Sequence, residues 1–249
     1  MRGILKDMAL ALQFMTRVPV RFSGLDPARM SRASVWFPAV GLLVGGLSAS
    51  AYALVNPHLG RTLAALSAVF VTVIVTGGLH DDGLADCADA FGGGWTREDC
   101  LRILKDSRIG TFGALALILC VGSRILLLAE MPAGVVIRYI ISAHVLARYT
   151  PLPLSAVLKP ARGPAEGQGG RMAGATSWLT VAFGTVMAVA VAALFLRAAA
   201  WQPILAVAIL TVASGLYYQR RLGGITGDCM GATIQISEVA VYLCGAWMR

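Results

Sequence analysis

The stretch that decides the fold is GGLHDDGLADCADAFGGGWTREDCLRILKDSRIGTFG, residues 77–113. Seven of the chain's thirteen acidic residues fall between Asp81 and Asp106. On either side the chain is apolar enough to sit in a bilayer, where charge is costly and usually functional. If the helix expected before it continues from 71–79 through the acidic run, Asp82, Asp86 and Asp89 stand at i, i+4 and i+7. They then lie within about 60° of one another on one face. Asp81 points about 100° away. Three stacked carboxylates repel unless a cation neutralises them. Hard oxygen ligands without Cys or His favour Mg²⁺ or Mn²⁺ over Zn²⁺. The helix is expected to break at Gly92-Gly93-Gly94. A solvated acidic turn is the plainer alternative. Against it stand Lys105, Asp106, Ser107 and Arg108, just before the next apolar run. Carboxylates for a metal plus Arg and Lys clamps are what a phosphoryl or pyrophosphate group requires.

Of the 249 residues, 57% are hydrophobic and 14% charged, with mean hydropathy +0.72. The charged fraction is far below the globular norm of about 25%. The reading is an all-α integral membrane protein, a polytopic bundle of about seven transmembrane helices with an N-terminal interfacial helix. Residues 8–15, flanked by Arg2, Lys6, Arg17 and Arg21, give the interfacial helix, and no cleavable signal is expected. The spans are expected at 35–56, 62–79, 109–129, 131–147, 172–196, 198–219 and 229–248, with a polar hairpin over 150–171. The whole chain, 1–249, reads as one membrane-embedded catalytic domain.

The net charge of +8 does not point to nucleic acid. Sixteen of the twenty-one Lys and Arg residues lie in 1–34, 80–108, 148–171 and 220–228, so the basic excess is explained by topology. Those segments, and the chemistry with them, are expected on the cytoplasmic side of the cell inner membrane. The five cysteines show no metal spacing, and no disulfide is inferred.

A second polar stretch, 220–228, ends in Thr226-Gly227-Asp228. It emerges on the same side as the acidic run, so Asp228 is expected to join the metal site or the shell of residues around its ligands. Beyond it Gly231, Gln235, Glu238 and Tyr242 form a stripe down the last span. Glu238 lies about 15 Å further along the helix than Asp228. It should therefore pair inside the bundle, with Arg124 or Arg138. His80 marks the membrane edge or acts as a base, and His58 and His144 carry no signal. On these residues alone a CDP-alcohol phosphotransferase-like enzyme, a UbiA-like prenyltransferase or a transporter stay open as rivals. Against a transporter, no inverted repeat is visible.

The runs HDDGLADCADAFGGG, ILKDSRIGTFGALALIL and GGITGDCMGATIQISE resemble the cobalamin synthase family of adenosylcobinamide-GDP ribazoletransferases. FMTRVPV at 14–20 and SRASVWFPAVGLLVGG at 31–46 extend the match in the right order. The resemblance implies a membrane enzyme of late cobalamin assembly. It would join adenosylcobinamide-GDP to α-ribazole or its 5′-phosphate with Mg²⁺, releasing GMP. Carried over, the acidic motif falls on Asp82, Asp86 and Asp89, and the basic block on Lys105, Asp106 and Arg108. The C-terminal block falls on Thr226, Gly227, Asp228 and Glu238. The expected roles are metal ligation by Asp82, Asp86, Asp89 and Asp228, and phosphate binding by Lys105 and Arg108 with Thr226 and Gly227 beside them. Asp89 or Asp106 would take the hydroxyl proton. The oligomeric state is left open, and a homo-oligomer is compatible with the sequence.

Overall fold

The structure, a computed structural model, describes residues 2–20, 29–162 and 172–248. Readings made on Arg21, on 163–171 of the expected hairpin and on Arg249 lie outside them. Among the described residues the regular structure is helical, apart from a parallel bridge between Pro160 and Ile225. Helix α1 (Arg2–Met15) buries Leu10, Ala11 and Met15 and leaves Ile4, Leu5 and Met8 exposed. Asp7 on α1 pairs at 2.9 Å with Arg29, which precedes the short α2 (Met30–Ala33).

Helix α3 (Phe37–Thr76) has 40 residues. Drawn straight it would run about 60 Å, twice the hydrocarbon thickness. Pro57 and Gly60, the latter at φ 77°, break it. The halves fold onto each other, since Ser48 Oγ donates to the Ala68 carbonyl at 3.0 Å. The expected spans at 35–56 and 62–79 are these two halves. The second half does not continue into the acidic run: Gly77 and Gly78, at φ 65° and 69°, end it in left-handed conformation. The acidic run is a helix of its own, α4 (Leu79–Gly93), and it ends against Gly94 as expected.

A capping box between Thr96 and Asp99 starts α5 (Arg97–Ile103), and α6 (Thr111–Glu130) follows. Helix α7 (Val136–Tyr149) replaces the expected span 131–147. Its 14 residues measure about 21 Å, and the run from Tyr139 to Arg148 is buried throughout. The expected hairpin opens instead as a helix, α8 (Pro151–Val157), because proline at the first helical position is pre-organised for it. Helix α9 (Trp178–Leu196) turns through a 3₁₀ segment into α10 (Trp201–Leu222), and α11 (Gly227–Trp247) completes the bundle.

Among the described residues four stretches are long and apolar enough to cross a membrane: Met30–Thr76, Thr111–Glu130, Trp178–Leu222 and Gly227–Trp247. The first and third each contain a break. Divided at those breaks the stretches give six helices at expected span positions, and they do not confirm the expected count of seven. In α11 67% of the apolar window is buried, against 28–33% in the other three, so α11 runs through the middle of the bundle. Leu54, Phe70, Ile118, Leu194 and Ile209 face outward, where lipid would cover them.

Candidate active site

Helices α4 and α11 meet at backbone contact. A methyl group on Gly83 would stand 2.8 Å from the Asp228 carbonyl oxygen, so only glycine permits this approach. The contact brings Asp228, some 140 residues away in sequence, beside the acidic helix. Asp82 and Asp228 line one cavity of about 110 Å³, with His80 and, from α1, Phe14 and Met15. Asp86, half-buried one turn further along α4, has its carboxyl pushed up to about 7. Burial is the largest cause, followed by the charges of Asp82, Asp228 and Asp89. Among the described residues neither Asp82 nor Asp86 has a side-chain hydrogen-bond partner.

The other expected residues are placed differently. Thr226 caps α11: its Oγ1 accepts from the Cys229 amide at 3.3 Å and donates to Asp228 Oδ2 at 3.2 Å. It orients Asp228 and is buried, whereas Gly227 is exposed. Asp89 spends both oxygens on the start of α6. Oδ2 accepts from the Gly110 amide at 2.7 Å and Oδ1 from the Gly113 amide at 2.8 Å. Because α6 has no cap from its own Gly110, this carboxylate supplies it from another helix. Asp106 is held by Arg108 through contacts of 2.9 and 2.6 Å, which keep its carboxyl down at about 2. That pair is exposed, as is Lys105 on the same loop, and Asp89 anchors the loop beside the cluster through Gly110.

Below the cavity lies a second set of charges. Arg124 Nη2 donates to Asp81 Oδ1 at 2.6 Å and Nη1 to Glu238 Oε2 at 3.4 Å. Glu238 Oε1 also meets Arg148 Nη1 at 3.0 Å and His144 Nδ1 at 2.8 Å. Arg124, Arg148 and Glu238 are at most 1% exposed. Of the two expected partners for Glu238, Arg124 is found there, while Arg138 is exposed on the outside of α7. His144 and Arg148 are contacts that sequence reading missed. Their i, i+4 spacing on α7 was visible, but what they face was not.

Two further arginines fix the loops around the cavity, and a third acts on it through charge alone. Arg221 Nη2 donates to the Gly94 carbonyl at 2.6 Å, and its guanidinium lies over the Phe91 ring at 5.7 Å. The glycine turn after α4 is thus pinned to α10. Arg97 donates to the carbonyls of Leu222 and Ala161, both at 2.7 Å. Arg162, next along, projects its charge onto both Asp86 and Asp228. No sequence motif distinguishes Arg162, because the backbone pairing that brings it in is remote.

The donor set suits Mg²⁺ in kind: three carboxylates and no soft ligand, with burial first and mutual repulsion second raising the Asp86 carboxyl. Among the described residues no three His, Cys, Asp or Glu side chains converge on one point as they stand. That is compatible with Mg²⁺, which keeps several of its waters and uses one or two carboxylates directly.

The protein-family model described as Cobalamin-5-phosphate synthase matches residues 7–246. An adenosylcobinamide-GDP ribazoletransferase of Ralstonia nicotianae is 36% identical over 265 residues, covering 99% of this chain and 97% of the relative. Enzymes of that name from Shewanella piezotolerans and Ralstonia pickettii are 35% and 37% identical, covering 94% and 96% of this chain and 92% and 94% of their own. No solved structure matches. The alignments run through the acidic helix and the Thr226–Asp228 turn alike, and the chain belongs to the cobalamin-5-phosphate synthase family.

Proposed function

We propose that this chain is an adenosylcobinamide-GDP ribazoletransferase that works at the membrane surface on the cytoplasmic side, where the basic loops collect. The observation that carries the reading is that Asp82 and Asp228, from remote parts of the sequence, line one cavity, with Asp86 one turn along α4 within reach of their charges. Among the described residues neither Asp82 nor Asp86 has a paired side chain, and the chain is of this family. In the reaction, a ribose hydroxyl oxygen of α-ribazole or its 5′-phosphate attacks the phosphorus nearest the corrinoid. The new P–O bond forms as the P–O bond to GMP breaks, and the hydroxyl proton leaves to base or solvent. Bound Mg²⁺ would neutralise the pyrophosphate and the leaving phosphate.

Asp82, Asp86 and Asp228 would hold that ion, with Asp228 oriented by Thr226. Asp89 acts one step removed, seating the 104–110 loop and α6 against the cluster. Asp106 is a poor base, being ion-paired and held near 2. Asp82, exposed and without a side-chain partner among the described residues, is the better-placed acceptor for the proton, through the carboxylate oxygen that does not hold the ion or through a water. Beside the cavity a groove of about 670 Å³ shares Phe14 and Leu79 with it and includes Arg17, which gives room for the bulky donor. The test is GMP release. Purified protein given adenosylcobinamide-GDP, α-ribazole and Mg²⁺ should form one GMP per cobamide. EDTA should stop the reaction. Absence of GMP with all components present would refute the assignment.

A further inference from the structure

We propose that Arg162 is a stand-in cation for the carboxylate cluster in the empty enzyme, and that it transfers to the substrate pyrophosphate when the metal binds. The proposal rests on the reading of the site as a metal-dependent phosphoryl transferase. Its geometry begins with a backbone clip. The Ala161 amide donates to the Ile225 carbonyl at 3.0 Å, and the Ile225 amide to the Lys159 carbonyl at 2.9 Å, giving the Pro160–Ile225 bridge. Arg97 closes it by holding Ala161 and Leu222 together. This fixes Arg162 one residue beyond the clip, opposite the Thr226-Gly227-Asp228 turn that starts one residue after Ile225.

The Arg162 Nε and Nη2 are shut off from solvent yet have no acceptor among the described residues. Among those residues the buried Arg148 also has Nε and Nη2 without acceptors, but it holds Glu238 at 3.0 Å, whereas Arg162 has no such contact. Enclosed guanidinium N–H groups without acceptors are unfavourable, so something must hold the charge in place. The field of Asp86 and Asp228 does so. A divalent cation entering the cluster would cancel that field and repel Arg162. The freed N–H groups then need acceptor oxygens, and a pyrophosphate bridging the metal supplies them in the forked pattern that guanidinium binds best. Arg108, which sequence reading put in this role, is already committed to Asp106.

A stand-in cation predicts opposite effects on metal and on substrate, which a purely structural residue cannot produce. Full-length protein in detergent is titrated with Mn²⁺ alone, with free Mn²⁺ read by EPR, and the KM for adenosylcobinamide-GDP is measured at saturating Mg²⁺. In Arg162→Gln, Mn²⁺ binding should tighten about three- to tenfold, because a competing charge is gone. KM should rise about tenfold or more, because a charge-assisted contact is lost. Arg162→Lys should leave Mn²⁺ binding within about twofold of wild type and still raise KM, since it keeps the charge but not the fork. If Arg162→Gln weakens Mn²⁺ binding, or leaves both quantities unchanged, the proposal is overturned. If wild type binds Mn²⁺ and releases GMP in that case, the proposed function stands. If wild type by itself binds no Mn²⁺, the stand-in role falls, and the proposed function falls only if GMP release fails as well.

Discussion

Asp81 and Asp82 are neighbours in sequence and belong to two different electrostatic regions. Asp81 turns down into the bundle, where Arg124, Glu238, Arg148 and His144 form a closed, buried set with two carboxylates and two guanidinium groups. Asp82 turns up to a cavity shared with Asp228, where carboxylates outnumber cations; burial, reinforced by their charges, raises the Asp86 carboxyl to about 7. The lower region is balanced and has no need of a ligand. The upper region is unbalanced, and in the proposed function a cation would relieve that imbalance. The contrast teaches that a carboxylate's role here follows from what it faces, and a one-residue step around a helix is enough to change that.

The comparison breaks most visibly at Glu238. Glu238→Gln leaves Arg148 without an anion in a buried site, and losing one partner of a buried pair costs about 3–5 kcal/mol. The melting midpoint in detergent should fall by roughly 6–20 °C for a chain of this size, with Mn²⁺ binding retained. Next comes Asp86→Asn, which should lower kcat by about 10²–10³-fold and leave the midpoint close to wild type. Asp228→Asn should lower activity and raise the Mg²⁺ requirement, since more metal rescues a weakened site.

A smaller effect concerns pH. A carboxyl raised to about 7 holds its proton below that pH, and the proton must leave for metal to bind. The metal requirement should therefore climb by up to about tenfold per unit as pH falls below 7 and level off above it. The sign for stability is opposite: without metal, this group's contribution is lost as pH rises from the ordinary carboxylate range through 7. Differential scanning of the metal-free protein at pH 5.5 and 8 reads it. Smallest is Asp89→Ala, which uncaps α6 and should cost about 1–2 kcal/mol of stability, lowering activity through the displaced loop while Mn²⁺ binding persists.

Much of this was legible in the sequence. The apolar runs gave the membrane class, the i, i+4 spacing put Asp82 and Asp86 on one face, and the glycine run ended the helix where expected. Glu238 was assigned an interior arginine, and Arg124 is one. What was not legible depends on contacts between remote segments. Asp89 shares the acidic face, but its partners are amides 21 and 24 residues on, and only the folded chain shows them to be α6's unsatisfied donors. Arg108 was in the right block, yet its nearest anion is two residues away. Arg162, Arg148 and His144 have no motif, because their meaning lies wholly in what faces them. The Gly77-Gly78 pair was a readable stop signal that the run of apolar residues outweighed.

The measurement that bears most directly on the division between the two regions is a paired one on Asp81→Asn and Asp82→Asn. Both proteins are purified in the same detergent, melted without metal, and titrated with Mn²⁺ by EPR. The account predicts that Asp81→Asn melts lower than wild type and binds Mn²⁺ normally, because it removes a partner from Arg124. It predicts that Asp82→Asn melts at or above the wild-type temperature, with one repulsive charge gone, and binds Mn²⁺ about tenfold or more weakly. Loss of Mn²⁺ binding in Asp81→Asn equal to that in Asp82→Asn would contradict it.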